Sequence, residues 1–452
     1  MSSWSLSTPF FKPGTRWQKV RCALQLPAMS KHKPLVAVLL AYLVIGALFI
    51  VRVPAWQAPD EPAHYNYAAS LARGVWPVIE SSDWDSKLVP IAPDARDVPF
   101  EKITYQDHQP PLFYALGAPV YLLTGGSLTA LRAWTLLIGA VGIVACYGVV
   151  LILFPGRTAL AGAAAVVYAL LPQHVHIMAS YNNDALSEAL LALTVLQSVR
   201  IMRTAPKRRD VLLLALTAGA AMWTKAQAYL VLPIGVLALV MADRSAPIAV
   251  RMRRAAMFGV VAVAIAAPLW LRNISTYGGL DFLGLQAHNR AVAGQLTSVE
   301  RIAQVGVGAY AREALQTTFQ SYWAMFGWMS VLPGARIYVG LLAFTLASAA
   351  AFVWWWVRDR TLLDVRQRDG LLVLAALYAF SVAAYFWYNA QFVQFQGRYL
   401  YPGLIPVAVG AALGWEKVAG RWSRWVWIGA LAVFGGLDVY MLLRVIVPGF
   451  GA

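Results

Sequence analysis

Charge is scarce in this sequence. Only 13% of its 452 residues are charged, about half of what an ordinary globular protein carries, which excludes a soluble domain with a fully hydrated surface. Cysteine is scarcer still. Cys22 lies in the N-terminal stretch and Cys146 inside an apolar run, so neither a disulfide framework nor a cysteine metal site can be read. Acids are outnumbered, 21 against 37 Lys and Arg. The net charge of +16 does not argue for nucleic acid, because the bases sit in short loops between apolar runs. No signal peptide is expected either: the first apolar run, Leu35 to Val53, is too long for one, and no small-residue cleavage site follows it.

What the chain has is apolar length. Hydrophobic residues make up 60% of it, gathered in runs of about 17–25 residues, enough to cross a ~30 Å hydrocarbon layer. Spans are expected near 35–54, 128–153, 158–178, 184–203, 211–224, 226–241, 255–271, 336–357, 370–389, 399–415 and 425–446. The fold class is therefore an all-α polytopic membrane protein of about 11 transmembrane helices. Residues 1–34 are expected to form a basic cytoplasmic tail and 35–447 a single transmembrane module, and no separate soluble C-terminal domain is expected. Alternation of the spans places 23 basic residues but only 6 acids on the tail's side, whereas the first outside loop holds nine acids and four bases over 55–108. That asymmetry orients the chain with its N-terminus inside.

Two segments need a separate reading. Residues 110–124 are apolar but too short to span, and counting them would put the Arg200–Arg209 cluster outside. They are expected to form an interfacial helix in the first outside loop, 55–127. Residues 211–241 are flanked by basic loops at both ends, so they must enter and leave on one side, with Lys225 at the tip. Two short helices or a re-entrant hairpin satisfy this, and a non-helical tip is tolerated where it lines a cavity. A second long outside loop covers 272–335.

This topology gathers polar groups at the outer face: Asp60, Glu61 and His64 after the first span, Asp107 and His108 before the interfacial helix, and Asn183 and Asp184 after the third span. Lys225, Arg272, Arg398 and Tyr399 join them from later in the chain. A lysine at depth in a span costs about 2.5–3.5 kcal/mol on insertion scales, which marks Lys225 as a functional candidate. Each of the others has a plainer reading. Asp60-Glu61 and Asn182-Asn183-Asp184 could cap helices, and Arg398 could be a snorkelling anchor. His64, with Asp60 at i−4, could be a surface histidine, since two ligands do not define a metal site. His174 and His176 fit the interface, as do Tyr322, Trp323, Phe326 and Trp328. Asp438, a lone acid in the last span, is expected to face another helix. Jointly, a carboxylate beside a basic cluster at the membrane surface suits deprotonation of a hydroxyl while cations stabilise a departing phosphate.

The ordered series Pro59-Asp60-Glu61-Pro62-Ala63-His64-Tyr65, His108-Gln109-Pro110-Pro111-Leu112-Phe113-Tyr114, Asn182-Asn183-Asp184-Ala185-Leu186, Thr224-Lys225, Trp270-Leu271-Arg272-Asn273, Phe326-Gly327-Trp328-Met329 and Gln396-Gly397-Arg398-Tyr399-Leu400 resembles the GT-C superfamily. These are membrane glycosyltransferases that use polyprenyl-phosphate sugars, such as protein mannosyltransferases and lipid A aminoarabinose transferases. The resemblance implies that Asp60, with Glu61 adjacent, is the catalytic base. It implies that Lys225, Arg398 and, more weakly, Arg272 hold the donor phosphate, with Asp107, His108, Asn183, Asp184 and Tyr399 in support. It further implies an inverting transfer from a polyprenyl-phosphate sugar to a glycan, lipid or protein hydroxyl, on the periplasmic face of a bacterial inner membrane. No cofactor is firmly implied, and no motif supports a divalent metal. The alternative is a transporter or flippase of a lipid-linked sugar, in which the same groups merely bind; against it, the sequence has no inverted repeat.

Overall fold

A computed structural model of the protein describes residues 32–83, 100–292 and 294–451. The expected tail, up to residue 31, lies outside the described residues, as do Cys22 and part of the first outside loop. Among the described residues the regular structure is helical, with only isolated bridges at Thr297–Phe392 and Phe326–Val331.

All eleven expected segments are helical, but they do not divide as eleven equal spans. The long apolar helices are α1 (Lys33–Arg52), α4 (Leu128–Leu153), α7 (Asp184–Arg203), α10 (Ile248–Tyr277), α14 (Ala335–Asp359) and α15 (Val365–Asn389). The helical run Gly397–Gly449 adds a seventh stretch able to cross a membrane. It contains α16 (Leu404–Ala419) and α17 (Val426–Met441), parted at Gly420, whose φ of +51° few side chains would tolerate. The expected span 158–178 is a bent pair, α5 (Thr158–Ala169) and α6 (Pro172–Met178), angled by 67°. Pro172 lacks the N–H that would continue the ladder and starts the new helix instead. Counting that pair gives eight.

The remaining elements bring loop residues to the site. Between α1 and α4 lie α2 (Glu61–Ala72), which periodicity did not reveal, and α3 (Leu112–Leu123), the expected short helix. Residues 211–241 form two short helices, α8 (Arg208–Met222) and α9 (Val231–Met241), joined through extended Lys225 and a 3-10 turn at Ala226–Leu230. The second long loop folds into α11 (Leu285–Ala291), α12 (Ser298–Val305) and α13 (Val307–Trp323). Thr297 and Glu300 cap α12 reciprocally.

The core forms around α5, an alanine-rich helix apolar on every side and buried throughout Leu160–Ala169. Such a helix cannot face water and is wrapped by α1, α4, α16 and α17. Asp438 is buried in α17, in line with the expectation that it faces other helices. The histidines of α6 do not sit at an interface: His174 and His176 are both buried, and His174 Nε2 pairs with Glu188 of α7 at 2.8 Å. The helix bend turns them inward. Trp323 and Phe326 are likewise buried rather than part of an aromatic belt, and Trp328 Nε1 donates to the Trp56 carbonyl at 2.9 Å.

Charge separates along the bundle. Asp184 opens α7 and Arg203 closes it, roughly 30 Å away at 1.5 Å per residue. Around the Arg203 end gather the ion pairs Arg157–Glu416, Lys417–Asp359 and Arg244–Asp369. The polar groups singled out above belong to the Asp184 end.

Candidate functional site

The site starts from how α2 begins. Asp60 precedes the helix in a left-handed conformation, φ +66° and ψ −6°. Short polar side chains tolerate this region better than bulky or β-branched ones. Its side chain does not cap α2. Instead Oδ1 accepts from the Tyr105 hydroxyl at 2.7 Å and Oδ2 from Arg398 Nη2 at 2.5 Å. Burial alone would raise the Asp60 pKa, but the Arg398 guanidinium and the Tyr105 hydrogen bond outweigh it and hold the carboxyl well below its usual range.

Glu61, one residue on, turns the other way. It is fully buried and accepts Arg132 Nε at 2.7 Å, Arg132 Nη2 at 2.6 Å, the Tyr181 amide at 3.0 Å and the Trp56 amide at 3.1 Å. Arg132, from α4, also donates to the carbonyls of Ile50, Val53 and Pro54. This bidentate pair ties the end of α1 to the start of α2 and so fixes Asp60. The adjacent acids thus have separate surroundings, and Arg132 had no signal in the sequence beyond being a base inside an apolar run.

Arg398 reaches Asp60 from the other end of the chain. Gly397 makes this possible: a Cβ there would collide with the backbone of Thr318 and Tyr322. The guanidinium lies over the Tyr399 ring at 5.5 Å, and its Nη1 is 4.0 Å from Asp184. Nε and Nη1 are buried and find no acceptor among the described residues. Lys225 is ion-paired with Asp184, so four charges alternate as Asp60, Arg398, Asp184, Lys225. Snorkelling is not the reason for Arg398; it points inward.

A neutral network backs this row. His64 Nδ1 is 2.7 Å from the Tyr114 hydroxyl, which also accepts from Asn183 Nδ2 at 3.2 Å. Burial is the main cause that pushes the His64 pKa down to about 3, so the ring is neutral. Asn182 Oδ1 accepts the Asp184 amide at 2.9 Å, a local turn contact, whereas Asn183, at the N-cap of α7, makes no side-chain capping bond. Leu112 N donates to the Trp223 carbonyl at 3.0 Å, holding α3 against the Lys225 turn.

Other expected residues stand apart from the charge row. Arg272 donates to the Pro77 carbonyl at 2.7 Å and lies over Trp76 at 4.7 Å, so it clamps the first outside loop onto the end of α10 and makes no hydrogen bond or ion pair with Asp60, Asp184 or Lys225. Its hydrogen-bond partners are neutral oxygens, those of Asn273, Tyr277 and the Pro77 carbonyl, so it stands outside the charge row. The His108 and His288 rings meet at a tilt of 48°, centres 4.2 Å apart, and the neighbouring Asp107 is buried with Oδ1 unpaired among the described residues. Burial, with Asp83 nearby, raises the Asp107 pKa to about 8. Among the described residues no group of three or more His, Cys, Asp or Glu side chains could hold a metal ion. Beside Asp60, Arg398 and Tyr399 opens a cavity of about 290 Å³ that also reaches His288 and Trp328.

Residues 108–271 match the dolichyl-phosphate-mannose-protein mannosyltransferase family, a stretch that includes Asn183, Asp184 and Lys225 but neither Asp60 nor Arg398. No curated protein matches the chain in sequence. Among solved structures it is similar to ArnT from Cupriavidus metallidurans in the apo state, with 16% identity, a TM-score of 0.54, and coverage of 92% of this chain and 73% of that one. ArnT bound to undecaprenyl phosphate gives 14% identity, a TM-score of 0.52 and the same coverage, 92% and 73%. The Archaeoglobus fulgidus oligosaccharyltransferase, in complex with zinc and sulfate, gives 14% identity and a TM-score of 0.49, covering 90% of this chain and 52% of that one. The chain thus spans about half the length of the oligosaccharyltransferase. The chain is thus a multi-pass membrane protein whose residues 108–271 are similar to the mannosyltransferase family and whose fold is similar to that of ArnT, both in line with the resemblance its motifs carry.

Proposed function

We propose that the protein is an inverting glycosyltransferase that moves a sugar from a polyprenyl-phosphate donor to an acceptor hydroxyl on the non-cytoplasmic face. Asp60 is the base and Arg398 the principal phosphate ligand. The observation that carries this reading is the state of Arg398: buried, hydrogen-bonded to Asp60 through Nη2, with Nε and Nη1 making no hydrogen bond among the described residues and Asp184 4.0 Å from Nη1. Buried guanidinium donors left without acceptors are costly, and a phosphate oxygen is the acceptor they fit best.

The bond from the acceptor oxygen to the anomeric carbon forms as the bond from that carbon to the phosphate oxygen breaks. The electron pair leaves with polyprenyl phosphate, and the acceptor proton passes to Asp60. The phosphate's charge grows during this step, so Arg398 and Lys225 stabilise the transition state more than the ground state. Asp60 is a weak base while Arg398 holds it. A bound phosphate that draws the guanidinium away raises the carboxylate's proton affinity at the moment an acceptor is needed. Proton transfer is therefore late, after most of the bond to phosphate has broken. Asn183, His64 and Tyr114 keep the row in register, while Glu61 and Arg132 position Asp60.

The testing variant is Asp60→Asn, because asparagine also accepts the left-handed backbone. A general base contributes about 10²–10⁴-fold, so turnover of purified protein with a short-chain lipid-phosphate sugar should fall at least ~10²-fold while donor binding persists. Near wild-type turnover would remove Asp60 from the role. Transport of the lipid-linked sugar without transfer, unaffected by the substitution, would favour the transporter reading.

A further inference from the structure

The cavity beside Asp60 has an unusual lining. Four glutamines, Gln106, Gln295, Gln394 and Gln396, face it from three separate segments of chain. Gln396 Nε2 donates to Gln394 Oε1 at 3.0 Å, and Gln106 Oε1 accepts from Gln109 at 2.9 Å, which fixes the direction of those amides. Gln295 Oε1 is buried and accepts no hydrogen bond among the described residues. Among the described residues the only carboxylate and the only guanidinium in the wall are Asp60 and Arg398, already paired with each other. His288, also in the wall, is driven toward its neutral form by burial. Trp328 and Tyr399 supply aromatic surface.

A carboxamide offers a donor and an acceptor together, which matches a hydroxyl, itself both. It cannot neutralise an ammonium or a carboxylate. Burying either without a counter-charge is expensive, and the charges present have other work: Asp60 must take a proton and Arg398 must hold the phosphate. The cavity volume of about 290 Å³ lies at the small end of ligand sites, roughly 300–1,000 Å³, so it suits one ring rather than an oligosaccharide.

We infer that this glutamine-lined cavity is the donor-sugar subsite and selects an uncharged, polyhydroxylated monosaccharide over amino sugars and uronic acids. The inference rests on the transferase reading above. It assigns specificity to Gln295, Gln394 and Gln396.

The test uses purified full-length protein in lipid nanodiscs and measures affinity for four probes: a short-chain polyprenyl phosphate alone, and the same lipid phosphate carrying glucose, glucosamine with a free amine, or glucuronate. The glucose conjugate should bind at least ~10-fold more tightly than the bare lipid phosphate, and the charged conjugates no more tightly than it. Truncation by Gln295→Ala should lower affinity for the glucose conjugate and leave that for the bare lipid phosphate unchanged. Gln295→Glu should shift preference toward the glucosamine conjugate, a gain that a misfolded variant cannot produce. A wild-type preference for glucosamine or glucuronate, or equal affinity for all three sugars, overturns the inference and leaves the transferase reading intact. If even the bare lipid phosphate fails to bind, the transferase reading falls and this inference with it.

Discussion

Glu61 tests whether adjacent acids have separate roles. Its carboxylate accepts four hydrogen bonds, two from Arg132, and both partners are almost wholly buried. Glu61→Gln keeps the shape but turns one oxygen into an NH₂ that must face a donor. It also leaves the Arg132 charge uncompensated, and the carbonyls of Ile50, Val53 and Pro54 prevent that side chain from swinging out. Breaking a buried pair by removing one partner costs about 3–5 kcal/mol, whereas losing an exposed pair costs ~1 kcal/mol or less. The variant should therefore unfold well below wild type in detergent, monitored by tryptophan fluorescence. Residual folded protein should retain turnover better than Asp60→Asn does. Adding Arg132→Met should recover part of the loss, because it removes the stranded charge, and a double-mutant cycle isolates that coupling. An unfolding midpoint equal to wild type, together with a collapse of turnover, would refute the reasoning and make Glu61 the base.

Arg398→Gln should raise donor KM or lower kcat, and it should also release Asp60 toward an ordinary carboxylate pKa, so the rate begins to fall at a higher pH on acidification than in wild type. A pH–rate profile with an unmoved acid limb would break the link between them. Asp107, with its pKa raised to about 8 by burial first and Asp83 second, keeps its proton when folded long after the unfolded chain has lost it at about 3.9. Between those values the folded state binds more protons, so stability should decline as pH rises through that window, and Asp107→Asn should flatten the curve of melting temperature against pH. Gly397→Ala should impair folding or activity severely, since the added carbon meets backbone rather than a movable side chain; wild-type behaviour would mean that the Arg398 segment sits elsewhere. Cysteines introduced at exposed Arg73 and Gln391 should both react with an impermeant thiol reagent from outside, once any outer barrier is removed, while one at Arg421 should not.

The spans were legible in the sequence wherever one helix had to cross the bilayer alone. Residues 128–153 and 184–203 coincide with α4 and α7, because caps or charges stand at their ends and apolar residues fill the interval. Legibility failed where tertiary packing overrides length. The bend at Pro172 is half visible as a proline, but nothing local says that His174 and His176 turn into the core. The helix at 61–72 is polar enough to read as loop, and it forms because Tyr67 and Ala68 find a buried face against Phe113 and Tyr114 of α3 while Ala63 packs on Ile103 and Tyr105. Hydropathy measures transfer into lipid, and α2 is buried in protein.

The site was legible as a set and not as a geometry. Asp60, Asp184, Lys225 and Arg398 do meet, and charge at the ends of apolar runs was the signal for each. Arg272 carried the same signal but lies apart from that row, against the Pro77 carbonyl of the first outside loop. The pair Asp60-Glu61 shows why sequence alone could not divide the roles. Two like acids in succession differ by nothing except where a helix begins. At Asp60 the backbone is left-handed, and its carboxylate meets Tyr105 and Arg398 at the cavity; at Glu61 the helix has started, and its carboxylate is aimed into the bundle at Arg132. One change of backbone conformation gives two equivalent residues the separate surroundings on which the proposed roles of base and support rest. Moving the helix start by a single residue should therefore exchange or abolish those roles without altering the composition of the site.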